Sequence, residues 1–170
     1  MAGAIFWLAR MDSSLVDRIG KTDKKTLAVW AIECAKRVLP YFEEEFPEDP
    51  RPRNALKALQ AWIKTGEFHM AVIRKASLDA HAAAREVGEA NPARSAARAA
   101  GQAVATAHVR THSLGAAQYA LQAVHRASLS LKAKDIVAKE QKWQYRRLIK
   151  LREKSQGPLT RAVQDKFHWD

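Results

Sequence analysis

Residues 93–108, ARSAARAAGQAVATAH, and residues 112–127, HSLGAAQYALQAVHRA, decide the fold class. Alanine has the highest intrinsic helix propensity, and neither stretch alternates polar and apolar residues as a half-buried strand does. Small side chains stand on more than one face of each stretch. Helices of this kind let neighbouring axes approach closely, so they belong at the centre of a helical array, packed on two sides. Asn91 supplies a cap and Pro92 a first-turn residue for the first helix. A break near Thr111 separates it from the second. The two are loosely alike but sustain no repeat period.

The chain reads as helical on both sides of this centre. Residues 1–20 hold a short amphipathic helix, over about 3–18, ended by Gly20. Its opening, MAGAIFWLARMD, is apolar, but no basic region precedes it and Arg10 and Asp12 interrupt it, which is not the pattern of a signal peptide. Thr22 is placed to cap the next helix, which carries Leu27, Trp30, Ala31, Cys34, Val38 and Tyr41 on one face. Pro40 falls inside that pattern and predicts a kink or break, since it has no N–H to donate. Pro47, Pro50 and Pro52 then stop the helix. A third helix, RNALKALQAWIKT, is closed by Gly66, and a fourth spans about Glu67 to Val87. A basic helix occupies 131–156, with its regular part from Leu131 to Lys154, and a tail covers 157–170. The expectation is a single all-α domain over 1–170, with about six to eight helices and an alanine-rich centre.

Charge and composition narrow the function. The chain has 170 residues, a formal net charge of +11 and one cysteine. A single cysteine excludes an internal disulfide and a cysteine-rich zinc site, and suits a reducing cytoplasm. No apolar run is long enough to span a bilayer. The excess of positive charge is concentrated in residues 86–170, with 15 Lys/Arg against 7 Asp/Glu. An imbalance of this size points to an acidic partner. Signatures of catalysis are missing: there is no G-x-S-x-G, no glycine-rich phosphate loop and no CxxC. The chain is therefore expected to be non-enzymatic and to need no cofactor.

Three groups of residues are candidates for binding. The first is the corner Asp49-Pro50-Arg51-Pro52-Arg53, which follows an acidic run from Glu43. Proline disfavours helix at the residue before it, so helix is expected only after Pro52. Asp49 is placed to cap the helix or to pair with Arg51 or Arg53. The second group is Arg94, Arg98, His108 and His112 on the alanine-rich pair. The arginines share a face and invite pairing with Glu33 or the acidic run. His108 and His112 stand four apart, a spacing that can hold a metal on one helical turn. A zinc site needs a third ligand, for which His81 and Asp79 are candidates only if the fold brings them near, and no zincin glutamate follows His108, so no metal is expected there. The third group is Lys132, Lys139, Lys142, Arg146 and Lys150, a stripe on the last long helix opposed to Ile136, Val137, Trp143, Leu148 and Leu151. Such a stripe can follow phosphates, so weak nucleic-acid binding is the alternative to a protein partner.

These residues carry a family resemblance. WAIECAKRVLPYFEEEFPEDPRPRNAL is similar to the opening signature of the immunity proteins of the Imm-five-like type, through Trp30, Cys34-Ala35, Val38-Leu39-Pro40, Phe42-Glu43, Asp49 and Arg51-Pro52-Arg53. ARSAARAAGQAVATAHVRTHSLGAAQYALQA resembles the second signature, through Arg98, His108, His112 and Tyr119-Ala120. EQKWQYRRL resembles the closing segment around Trp143-Gln144. The resemblance covers about residues 27–151. It implies a small helical cytoplasmic protein that binds and neutralises a cognate toxin of a bacterial polymorphic toxin system.

Overall fold

The computed structural model describes residues 13–128 and 132–164. Among them there are eight helices and no strand: α1 (Ser13–Gly20), α2 (Lys24–Val38), α3 (Pro40–Glu43), α4 (Arg51–Thr65), α5 (Met70–Glu86), α6 (Pro92–Ala105), α7 (His112–Ala127) and α8 (Ala133–Gln164). The all-α expectation holds. Most of the helix expected over 3–18, and the last residues of the 157–170 segment, lie outside the described residues.

The alanine-rich pair is the centre. Helices α6 and α7 pack most extensively against each other, and α6 also touches α2, α3, α4 and α5. Ten of the 14 residues of α6 are buried, from Ala93 to Ala105, so this helix has neighbours on nearly every side. Larger side chains from the periphery fill the space that alanines leave. Trp30, Phe42, Leu27, Leu59 and Leu148 are almost fully buried, as are Cys34 and Val38. At Gly101 α5 and α6 approach each other closely. A Cβ there would stand 2.9 Å from the His81 ring, and Ser77 Oγ donates to the Gly101 carbonyl at 3.0 Å.

The helix ends follow local chemistry, with some corrections to the sequence reading. Asp23, not Thr22, caps α2, accepting from the Thr26 N–H at 2.8 Å. The Thr22 hydroxyl instead donates to the Arg18 carbonyl. Pro40 breaks the helix as expected and becomes the first residue of α3. Helix α4 begins at Arg51, one residue before Pro52, because Asp49 Oδ1 accepts the Arg51 N–H at 3.0 Å. That bond offsets the steric bias against helix before proline. Gly66 closes α4 with a φ of 77°, and α5 starts at Met70 rather than at Glu67. Asn91 caps α6 through the Ala93 N–H at 2.7 Å. Gly157, with φ 63°, interrupts α8, but the segment read as a tail resumes helix as far as Gln164.

Two buried polar ties fasten α8 to the body. Trp30 Nε1 donates to the Gln144 carbonyl at 2.8 Å, and Gln144 Nε2 donates to the Ala117 carbonyl at 3.1 Å. Nearby, Arg37 of α2 forks onto the buried Glu140 and lies 4.0 Å from the centre of the Trp143 ring. Val137 and Leu148 of the apolar side are buried, whereas Ile136 is exposed and Trp143 and Leu151 are half-covered.

Candidate partner-binding surfaces

The proline corner is built as a knot of ion pairs. Asp49 takes the Arg51 backbone N–H and both Nε and Nη2 of its guanidinium, at 2.7–3.0 Å. The other edge of Arg51 reaches Glu86 at the end of α5, with Nη1 2.8 Å from Oε1. Arg53 forks onto Glu43 of α3. Asn91 Nδ2 donates to both carboxylate oxygens of Glu45 at 2.8 Å. The acidic run is thus spread over the starts and ends of α3, α4, α5 and α6. The hydrogen bonds from Arg51 hold the Asp49 carboxyl below its usual range against the opposing effect of burial, and they lower Glu86 likewise. A shallow concavity of about 540 Å³ beside the knot is lined by Phe46 to Arg51 and Glu86.

The histidines do not share a helical turn. Helix α6 ends at Ala105 and α7 starts at His112, so His108 lies exposed in the junction. His112 Nδ1 donates to Gln102 Oε1 at 2.8 Å, which bridges α7 to α6. Burial lowers the His112 pKa, and the charge of His108 adds to this. Among the described residues no group of three His, Cys, Asp or Glu could hold a metal ion. His81, read from the sequence only as a conditional third metal ligand, is packed on Gly101 with a buried Nδ1 that has no partner. Burial, then the charges of Arg98, Arg85 and His112, push its pKa down to about 4.

Arg94 and Arg98 do not find the carboxylates expected for them. Glu33 is taken by Arg147 of α8, and the acidic run by Arg51, Arg53 and Asn91. Arg94 Nη1 donates to the Val87 carbonyl at 3.0 Å. The Arg98 guanidinium sits 5.9 Å from the centre of the Tyr119 ring. A third arginine, Arg126 of α7, joins them: its Nη1 donates to Ser95 Oγ at 2.7 Å, and Ser95 Oγ donates to Gln122 Oε1 at 2.9 Å. Arg126 was not legible from sequence alone, because Ser95, the group that holds it, comes from the neighbouring helix. The stripe of α8 is separate again. Lys132, Lys139, Lys142, Arg146 and Lys150 are all exposed, and none of the last four makes an ion pair among the described residues.

The described residues define a small all-helical protein with a knot of ion pairs at its proline corner and exposed basic side chains on its last helix. No helix among the described residues is long and apolar enough to cross a membrane. The chain belongs to the family described as Imm-5 like putative immunity protein, whose sequence profile matches residues 17–151. No curated protein and no solved structure matches it.

Proposed function

We propose that the protein is a non-enzymatic binding protein of the cytoplasm that neutralises a toxin by occupying it. The observation that carries this reading is family membership across residues 17–151, which takes in the corner, the alanine-rich pair and most of α8. The free, buried Cys34 suits a reducing compartment. Asp49, Arg51, Arg53, Arg94, Arg98, His108 and His112 are the candidate partner-binding residues. Of these, Arg51 is already engaged with Asp49 and Glu86, and Arg53 with Glu43, so their first role is to hold the surface in shape. The test is co-expression with the toxin domain encoded beside this gene. Survival of cells that the toxin alone kills, with co-purification of the two chains, is the expected result. Continued killing with no complex would overturn the reading.

A second reading rests on the exposed stripe Lys139, Lys142, Arg146 and Lys150, which can meet the phosphates of a nucleic acid. It predicts salt-sensitive binding without sequence preference.

A further inference from the structure

Four arginines in contact with the body of the fold are closed against carboxylates: Arg37 on Glu140, Arg51 on Asp49 and Glu86, Arg53 on Glu43, and Arg147 on Glu33. Arg18 near Tyr145, Arg110 on the Gly20 carbonyl and Arg152 have no carboxylate among the described residues, but each of these stands apart; Arg94, Arg98 and Arg126, also without one, are a group that acts on one another. They stand together on α6 and α7, all half-buried, and none makes an ion pair among the described residues. Each is fixed by a neutral group instead: a backbone carbonyl for Arg94, an aromatic ring for Arg98 and a serine hydroxyl for Arg126. Position is thereby set while charge is left uncompensated. Burial and the charges of Arg94 and Arg98 weaken the hold of Arg126 on its proton, and Glu89, the carboxylate that acts on it, has a smaller effect than Arg94. Like charges held together in partly desolvated ground are unfavourable until an anion arrives.

We propose that Arg94, Arg98 and Arg126 form a preorganised docking site for an acidic segment of the partner protein. That the partner is the cognate toxin rests on the reading given above. The three side chains are pinned across two tightly packed helices, so little ordering is lost on binding. A guanidinium over a ring face keeps its N–H edge available for a bidentate carboxylate. Four concavities, around the corner and along α1, α2, α4, α7 and α8, have linings that do not include these arginines. An open charged surface suits a protruding acidic segment better than an enclosed small molecule. A compact triad on two helices also differs from the linear track that a nucleic-acid backbone follows, which on this chain lies on α8.

The test compares the wild type, an Arg94→Gln/Arg98→Gln/Arg126→Gln variant and a control, Lys139→Gln/Lys142→Gln/Arg146→Gln/Lys150→Gln. Each is titrated at physiological salt with the adjacent toxin domain, a short polyglutamate peptide and duplex DNA. The expected result is a loss of at least about 100-fold for toxin and peptide in the triple variant, and near wild-type binding in the control. The triple variant should melt no lower than the wild type, because the charges removed repel one another. If it does melt lower, Arg98→Gln alone is tested, with a loss of about tenfold supporting the site and no loss overturning it. Toxin binding unchanged in the triple variant overturns the site and leaves the immunity reading standing. Peptide binding that depends on the triad, without any toxin binding, sustains the site and removes the toxin. DNA binding lost in the triple variant, with peptide binding unaffected, overturns the proposal in favour of a nucleic acid. No binding of any probe by the wild type also overturns it.

Discussion

Arg37 and Arg53 both fork onto a glutamate, yet their removal should have very different consequences. Glu140 is 6% exposed, so Arg37→Ala would leave a buried carboxylate unpaired. Losses of this kind are about 3–5 kcal/mol, and α8 should detach or refold locally. Arg53 is more than half exposed and Glu43 sits at the rim, so Arg53→Ala should leave stability close to that of the wild type. Denaturant melts of the two variants check the contrast, and similar losses in both would refute it. Cys34 belongs to the same scale. It is fully buried, and its thiol is pushed well up, first by burial and then by the charges of Glu140 and Glu33. A bulky thiol reagent should label it only after unfolding; prompt labelling of the native protein would contradict this. Helical spacing was enough to place Trp30, Cys34 and Val38 in the core, since an apolar face repeats every third or fourth residue. Trp62, in the last turn of α4, packs half-covered on the rim of that core. Glu140 and Gln144 were not legible at all. A polar residue on a basic helix reads as solvent-facing, and only Arg37 of α2 and the Ala117 carbonyl of α7 make their burial tolerable.

Between elements, α5 meets α6 closely at Gly101, where the neighbour is a ring packed between helices and not the end of a flexible chain. A methyl group there would meet the His81 ring, so Gly101→Ala should cost about 1–3 kcal/mol although alanine is the better helix former. A thermal melt equal to or above that of the wild type would show that the ring moves aside freely. His81 also gives this contact a pH dependence. Its native pKa is depressed to about 4, so the folded protein keeps it neutral while the unfolded chain takes up a proton near the ordinary histidine value of about 6.5. The stability it contributes is therefore complete above about pH 6.5 and is lost as pH falls towards 4. Because the ring is half-exposed, the loss is roughly 1–2 kcal/mol after allowance for solvent screening. His81→Gln should flatten the stability profile over that window. It should leave the lower-pH loss, where Asp49 and Glu86 give up their ties to Arg51. An unchanged profile in the variant would refute the assignment. At this scale the break near Thr111, the cap at Asn91 and the stop at Gly66 were readable, because caps and glycine stops are local chemistry. The separation of His108 from the turn of His112 follows from the break at Thr111. The pairing of Asp49 with Arg51 was readable, because the two stand two residues apart in a stiff corner, whereas the long-range pairings of arginines with acids depend on which helix ends meet. Glu33 faces α8 and meets Arg147, leaving Arg94 and Arg98 without it.

Over the whole molecule the excess charge divides into two surfaces with different expected partners. The triad of α6 and α7 is compact and held in place, whereas the stripe of α8 is exposed and linear. A flexible exposed lysine loses more freedom on binding than a pinned arginine, and its attraction is screened by salt. If α8 binds nucleic acid, the contact is a sum of roughly three to five phosphate neutralisations from one helical face. Affinity for duplex DNA should then fall with salt at a log–log slope of roughly −3 to −4. Changing Lys139, Lys142, Arg146 and Lys150 to Glu should abolish it, since repulsion replaces attraction along the stripe. These side chains point away from the ties of α8 through Glu140, Gln144 and Arg147, so the reversed variant should still fold. The proposed binding of a toxin predicts weak DNA affinity at physiological salt, with the stripe dispensable for protection of cells. Titration of the wild type and the reversed variant at two salt concentrations, beside a survival assay, separates the two roles. Protection lost with the stripe, but kept when the arginine triad is removed, would place the partner on α8 and make the triad a by-product of packing. Salt-resistant, sequence-selective DNA binding would contradict both surfaces, since neither carries a base-reading element in a groove-matching frame.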